Sequence, residues 1–317
     1  MSVPRLNLAA DDVASITALV ESIASGWDTV ESPEFLAEAA VLASELPQAL
    51  RRFVSSARIR EDQLFAISGW RVESTGIGRT PPSWTDASTS RTQRHEILLV
   101  LFASLLGDPF GMSGLQGGRV INHIIPLRGA ESTVTAFSST GALDWHTESA
   151  GLDCRPDYQA FLCLRNPERV PVLVSSLTRT RLARDTMRIL REPRFVINAP
   201  GPDGEVFVTI PVLFGDRRRP YMRIDPVYMK AQAGDGEAAG ALDAICTRLR
   251  DAIEPFEPQA GDLYVIDNYQ LVHGRPSFRP RYDGSDRWLM RVKIAKDIRR
   301  SREYRDAAAS RVVNLSF

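Results

Sequence analysis

Apolar residues at Val13, Ile16, Leu19, Val20 and Ile23 recur at the three-and-four spacing of one helical face, so residues 11–25 are predicted to form an amphipathic helix. Acidic residues fill its first turn and Gly26 supplies the stop. Ser32-Pro33 reads as an N-cap followed by proline at the first helical position. Phe35, Leu42, Leu46, Leu50 and Phe53 then carry a second stripe, which Pro47 should break or kink. Residues 91–106 are apolar enough for a mostly buried helix, ended by Gly107-Asp108-Pro109.

From Gly118 the period changes to short β-branched and aromatic runs at 120–125, 133–137, 160–164, 170–175, 195–198, 206–214, 221–224, 263–266 and 288–294. Turn residues separate many of them, notably Gly201-Pro202-Asp203-Gly204. One amphipathic helix, carrying Leu242, Ile245, Cys246, Leu249 and Ile253, interrupts the series. The pattern predicts an α+β fold with a double-stranded β-helix (jelly-roll) core and flanking helices. A single domain over 1–317 is expected, mainly helical over 1–110 and jelly roll over 111–317. Segments 215–219 and 232–237, polar and marked by glycine, read either as a mobile lid or as solvated loops.

Composition narrows the function classes. With 39 Lys+Arg against 39 Asp+Glu there is no net field to attract nucleic acid or an anionic membrane, so a small-molecule partner is expected. Cys154, Cys163 and Cys246 are odd in number and lack metal-binding spacing, which suits packing thiols in a reducing compartment. The start MSVPRLNLAADD has no signal-peptide pattern, and the apolar run 97–106 is far short of the roughly 20 residues of a membrane span. A cytoplasmic protein is the expectation; oligomeric state is not encoded in any of these features.

The four histidines are the natural place to look for chemistry. His95, between Arg94 and Glu96, reads as a surface residue, and His123, inside a strand, as a core imidazole. His146 differs, because Trp145-His146-Thr147-Glu148 sets an imidazole and a carboxylate two residues apart, on one face if the chain is extended. His273 follows the apolar strand opened by Gly261-Asp262 and is the candidate third ligand for a facial metal triad. Arg287 lies fourteen residues beyond it and Arg291 four further, on the same strand face, where two guanidiniums can receive two carboxylates beside one metal. A zinc hydrolase using the same ligands is a rival reading, although HExxH and HxxE spacings are absent; a binding protein without turnover is another.

WHTE, NPERVP, GDLYVIDNYQLVHGRPSFRPRYDGSDRWLMR and the upstream GDPFG…QGGRVINHIIP together resemble the clavaminate synthase-like branch of iron(II)/2-oxoglutarate oxygenases. Within that branch they are most similar to free amino-acid hydroxylases acting on arginine, asparagine and lysine in antibiotic biosynthesis, over roughly residues 82–291. The resemblance implies iron bound by His146, Glu148 and His273, with Arg287 on the far carboxylate of 2-oxoglutarate and Arg291 on the substrate's α-carboxylate. It further implies O2 as co-substrate, with Glu148 and Gln116 on the substrate amine and Ser138 and Ser139 bordering the substrate. A threonine that usually touches 2-oxoglutarate is Val172 here, with Ser175 or Ser176 as substitutes. Asp225 falls where related arginine hydroxylases place acids against the guanidinium, so a basic amino acid is the first expectation, an asparagine-like one the second and an acidic one, held by Arg223, the third. An Arg223–Asp225 ion pair is the competing expectation for that acid. Hydroxylation and desaturation are not separated by these residues, while Glu148 argues against halogenation.

Overall fold

The N-terminal stripes fold as helices Ala10–Ala24, Pro33–Ala43, Gln48–Ile59 and Gln93–Ser104 in the computed structural model, which describes residues 3–89, 91–133, 137–179 and 181–315. The Ser32 hydroxyl caps the second helix by accepting from the Phe35 N–H at 3.1 Å. Pro47 does not kink one long helix; it occupies the N-cap of the third. His95 corrects an expectation. A step of about 100° per residue leaves Arg94 exposed but turns His95 inward, where Nδ1 accepts from Trp70 Nε1 at 2.9 Å and burial lowers its pKa to about 4.

Period-two alternation organises the main sheet. Its strands run in the order β1 (Arg5–Asn7), β2 (Leu64–Ser68), β14 (Leu263–Asp267), β6 (Tyr158–Arg165), β16 (Trp288–Ala295), β3 (Asp108–Met112) and β17 (Val312–Val313), with β4 (Ile121–Ile124) also pairing β16. On β16, Met290, Val292 and Ile294 pack towards the helices; Val265 on β14 and Leu162 on β6 do the same. The intervening residues Leu289, Tyr264, Phe161 and Cys163 enter a second core. The same alternation therefore turns Arg287, Arg291 and Lys293 away from the helices.

That second core is shared with a four-stranded antiparallel sheet, ordered β13 (Glu254–Phe256), β7 (Val172–Ser176), β15 (Leu271–Arg275) and β5 (Leu143–His146). A third sheet, β12 (Met229–Ala231), β8 (Phe195–Gly201) and β9 (Gly204–Ile210), packs with the helix Gly236–Asp251, and β10 (Leu213–Phe214) pairs β11 (Tyr221–Met222). The Gly201-to-Gly204 turn closes the β8–β9 hairpin as its residues predict.

Several boundaries differ from expectation for local reasons. Pro211 divides the run predicted over 206–214 into β9 and β10, since proline cannot donate to a ladder. The strand over 221–224 stops at Met222. Of the strand expected at 133–137, residues 134–136 lie outside the described residues. Strands β1, β2 and β3, from the part read as mainly helical or its margin, join the main sheet. Among the described residues no helix is long and apolar enough to cross a membrane.

Candidate metal centre

Antiparallel pairing of β5 with β15 sets His146 directly opposite His273, with ring centroids 4.8 Å apart. His273 is thus mid-strand in a strand of its own, not at the end of the Gly261-Asp262 strand where the sequence suggested it. Glu148 lies beyond the end of β5, so the extended-strand argument for the His-x-Glu pair does not describe it. Asn268 does the positioning instead: its Oδ1 accepts from the Glu148 N–H at 2.7 Å and its Nδ2 donates to the Glu148 carbonyl at 3.0 Å. One ligand atom from each of His146, Glu148 and His273 lies within 4.8 Å of the others.

Each of the three side chains offers a cation a ligand atom. The Asp144 carbonyl lies 2.8 Å from His146 Nδ1, fixing a proton there and leaving Nε2, 3.7 Å from Glu148 Oε2, with its lone pair. Burial pulls the His146 pKa down, but Glu148, Asp225 and the Asp144 carbonyl together raise it, so a cation binds at Nε2 in competition with a proton. Burial and then His146 lower His273 to about 3, so that ring is neutral, and its Nδ1 has no partner among the described residues. Burial alone would raise Glu148; Arg291 and Lys293, each 3.3 Å from a carboxylate oxygen, hold it well below the usual range. Two imidazoles, each ligating in its neutral form, and a carboxylate suit a divalent iron site with open positions.

Two cavities meet at His273, Leu143 and Arg291. The narrower lies between the two facing sheets and is lined by Arg275, Arg287, Val172 and Tyr264 among apolar residues, with no carboxylate. Arg275 spends its donors on the 138–141 loop, reaching Ser138 Oγ at 2.8 Å and the Gly141 carbonyl at 2.9 Å. Arg287 is 5% exposed, pairs with no described carboxylate, and its Nε has no partner. Burial lowers its pKa, so the charge waits for an anion.

The wider cavity, about 530 Å³, is of small-molecule size and holds His146, Glu148, Asp225, Arg291 and Lys293 in its walls. Asp225 is there as the sequence suggested, and the competing ion pair does not form: Arg223 Nη1 turns to Asp153 Oδ1 at 2.8 Å. Burial raises the Asp225 pKa against the opposing pull of His146, and no Lys or Arg among the described residues forms an ion pair with it.

Three expected substrate contacts are not brought to this wall. Gln116 gives both ends of its amide to the His123 backbone, at 2.9 and 3.0 Å. Ser138 and Ser139 lie behind Arg275, to which they contribute a hydroxyl and a carbonyl. Ser176 bonds Thr178 at 2.9 Å, and neither it nor Ser175 lines the Arg287 cavity. Segments 215–219 and 232–237 line neither wall of the wider cavity, which borders the β8–β9 hairpin instead. Two residues the sequence reading passed over are present: Lys293, which period two from Arg291 would have found, and Asn198, whose buried Oδ1 lacks a partner among the described residues.

Gly274 lets β5 approach β15 between His273 and Arg275. A Cβ there would stand 2.6 Å from the Leu143 carbonyl oxygen and 2.9 Å from the Trp145 nitrogen, both backbone atoms that cannot swing aside. Gly274→Ala is expected to destabilise the fold by about 1–3 kcal/mol and to weaken metal binding with it. Thermal denaturation and a metal titration check this, and an unchanged variant would mean that the two strands separate freely.

The comparisons agree with this geometry. No protein-family model matches the chain. It is 37% identical to an enduracididine beta-hydroxylase of Streptomyces hygroscopicus, covering 97% of this chain and 99% of that protein. An L-ornithine/L-arginine 3-hydroxylase of Catenulispora acidiphila is 34% identical, covering 98% and 99% respectively. The crystal structure of the non-heme iron oxygenase OrfP with Fe, succinate and (3S)-hydroxy-L-Arg superposes with a TM-score of 0.92 at 30% identity, covering 98% of this chain and 100% of that one. Clavaminate synthase 2 of Streptomyces clavuligerus is also similar, at 28% identity over 83% of this chain and 84% of that protein. With relatives above 30% identity spanning nearly its whole length, the chain belongs to the clavaminate synthase-like family of iron(II)- and 2-oxoglutarate-dependent oxygenases.

Proposed function

We propose that this protein hydroxylates a free basic L-amino acid at a side-chain carbon, consuming 2-oxoglutarate and O2. The observation that carries the reading is the juxtaposition of the His146, Glu148 and His273 cluster with a cavity whose buried guanidinium, Arg287, pairs with no anion among the described residues. Two sheets sharing one core beside that cluster support a jelly-roll core. His146, Glu148 and His273 would hold iron(II). When bound, the metal supplies the oxidative decarboxylation of 2-oxoglutarate to succinate and CO2, coupled to insertion of one oxygen atom into a substrate C–H bond.

The chain's own share is placement and exclusion of water. Arg287 receives the far carboxylate of 2-oxoglutarate in the narrow cavity. Arg291 borders both cavities, and its contacts to Glu148, Gln159 and Asn122 are long, at 3.3 to 3.4 Å, leaving it able to grip the substrate's α-carboxylate. Lys293 holds Glu148 from its other oxygen. Asp225 and Asn198 offer a charged and a neutral acceptor to the substrate's side chain, which favours a cationic group rich in N–H donors.

Succinate release measured across the twenty amino acids plus ornithine and citrulline tests the reading, with strong stimulation expected from arginine, ornithine or lysine. Stimulation confined to acidic or apolar amino acids would overturn it. Asp225→Ala should weaken the basic substrate by about 2–4 kcal/mol, the cost of stranding a buried charge, while 2-oxoglutarate affinity stays as it was. Equal turnover by wild type and variant would take Asp225 out of the substrate site.

A further inference from the structure

The narrow cavity also contains a polar group to which the sequence motifs assign no role. Tyr264 is fully buried on β14, its ring stacked on Phe161 at 4.7 Å with planes 5° apart, and its hydroxyl has no hydrogen-bond partner among the described residues. A phenol that finds no partner in a protein core forfeits the desolvation of its O–H, so such groups are few and have a reason. Tyr264 and Arg287 line the same cavity, together with Ile124, Val172 and Leu289 and the further cations Arg275 and Arg291. Tyr264 and Arg287 are both donors. The wall therefore presents cations and a neutral O–H and carries no carboxylate, which is the complement of a bound carboxylate.

We infer that the Tyr264 hydroxyl donates to the far carboxylate of 2-oxoglutarate beside Arg287, supplying the neutral donor that Val172 cannot. This rests on assigning the narrow cavity to 2-oxoglutarate. Alternation on β14 fixes the direction: Leu263 and Val265 pack towards the helices while Tyr264 faces the second sheet. Stacking on Phe161 restricts the ring, so the hydroxyl is held in place before the ligand arrives. Tyr264 is a cosubstrate-binding residue here and takes no part in proton transfer; burial pushes its pKa up, which keeps it a donor.

The test is anaerobic calorimetric titration of the iron-loaded wild type and Tyr264→Phe with 2-oxoglutarate and, separately, with 2-oxobutyrate, which keeps the chelating end but has no far carboxylate. Phenylalanine preserves the stack and removes only the hydroxyl. The 2-oxoglutarate dissociation constant should rise about ten- to a hundredfold, the usual loss for a hydrogen bond to a charged group, with 2-oxobutyrate unaffected. Unchanged 2-oxoglutarate affinity, or equal weakening of both ligands, overturns the inference. Val172→Thr gives a second measurement: its new hydroxyl should raise 2-oxoglutarate affinity less in wild type, where Tyr264 already donates, than in the Tyr264→Phe background, with 2-oxobutyrate binding and thermal denaturation showing that each variant is folded. Equal gains in the two would also overturn it. If Arg287→Ala leaves 2-oxoglutarate binding intact as well, the cavity assignment itself fails; if only Tyr264→Phe is silent, the hydroxyl alone is misassigned.

Discussion

Replacing His273 with alanine is expected to abolish amino-acid-dependent succinate release and to remove stoichiometric iron binding. The ring faces His146 across a β-ladder, it is neutral, and among the described residues it is one of the three groups that can share an ion. Losing an outer-shell partner typically costs a metal site roughly 10–100-fold in affinity or activity, and losing one of three protein ligands should cost more. His146→Ala should behave alike. His123→Ala is the contrast: that imidazole is buried between Trp288 Nε1 at 3.1 Å and Ser88 Oγ at 3.2 Å, so its loss should lower thermal stability but leave the iron stoichiometry at one. Equilibrium dialysis with iron(II) under argon separates the two cases. Full iron binding by both His146→Ala and His273→Ala would move the centre elsewhere.

The parts of this site that were legible in the sequence are those written in short spacings. His-x-Glu, the distal histidine and the arginines fourteen and four residues further on are read along one strand or one turn, and the structure brings all of them to one place. What escaped depends on pairing across the sheets. Asn268 orients Glu148 from 120 residues away, and no local pattern distinguishes it from the turn residue that follows an apolar strand. Tyr264 reads as an ordinary aromatic in a buried run until the facing strand turns out to carry Val172. Gln116 shows the converse, since its amide looks free in sequence while one donor and one acceptor position are taken by the His123 backbone seven residues on. His95 shows how weak a guide polar neighbours are on a helix, where adjacent residues point about 100° apart. The N-terminal strands were hidden by length: β1 has three residues, too few for a period to show.

Arg287→Ala should raise the 2-oxoglutarate requirement by about 30- to 5,000-fold, which is the roughly 2–5 kcal/mol cost of leaving a buried carboxylate without its charge-assisted partner. A second signature distinguishes this from a damaged fold. In the ligand-free protein the Arg287 guanidinium is a buried cation that no described carboxylate balances, so it destabilises the protein by itself. Its removal should leave the ligand-free thermal midpoint unchanged or higher, while abolishing most of the stabilisation that 2-oxoglutarate gives to the wild type. Arg287→Lys should fall between, because an ammonium keeps the charge but not the two parallel N–H bonds a carboxylate accepts. Discrimination follows the same logic: wild type should prefer 2-oxoglutarate strongly over 2-oxobutyrate, and Arg287→Ala should lose most of that preference. A variant whose 2-oxoglutarate dependence matched the wild type would place the anchor on Arg275, a further guanidinium in the cavity, and would require it to give up its bonds to Ser138 and Gly141.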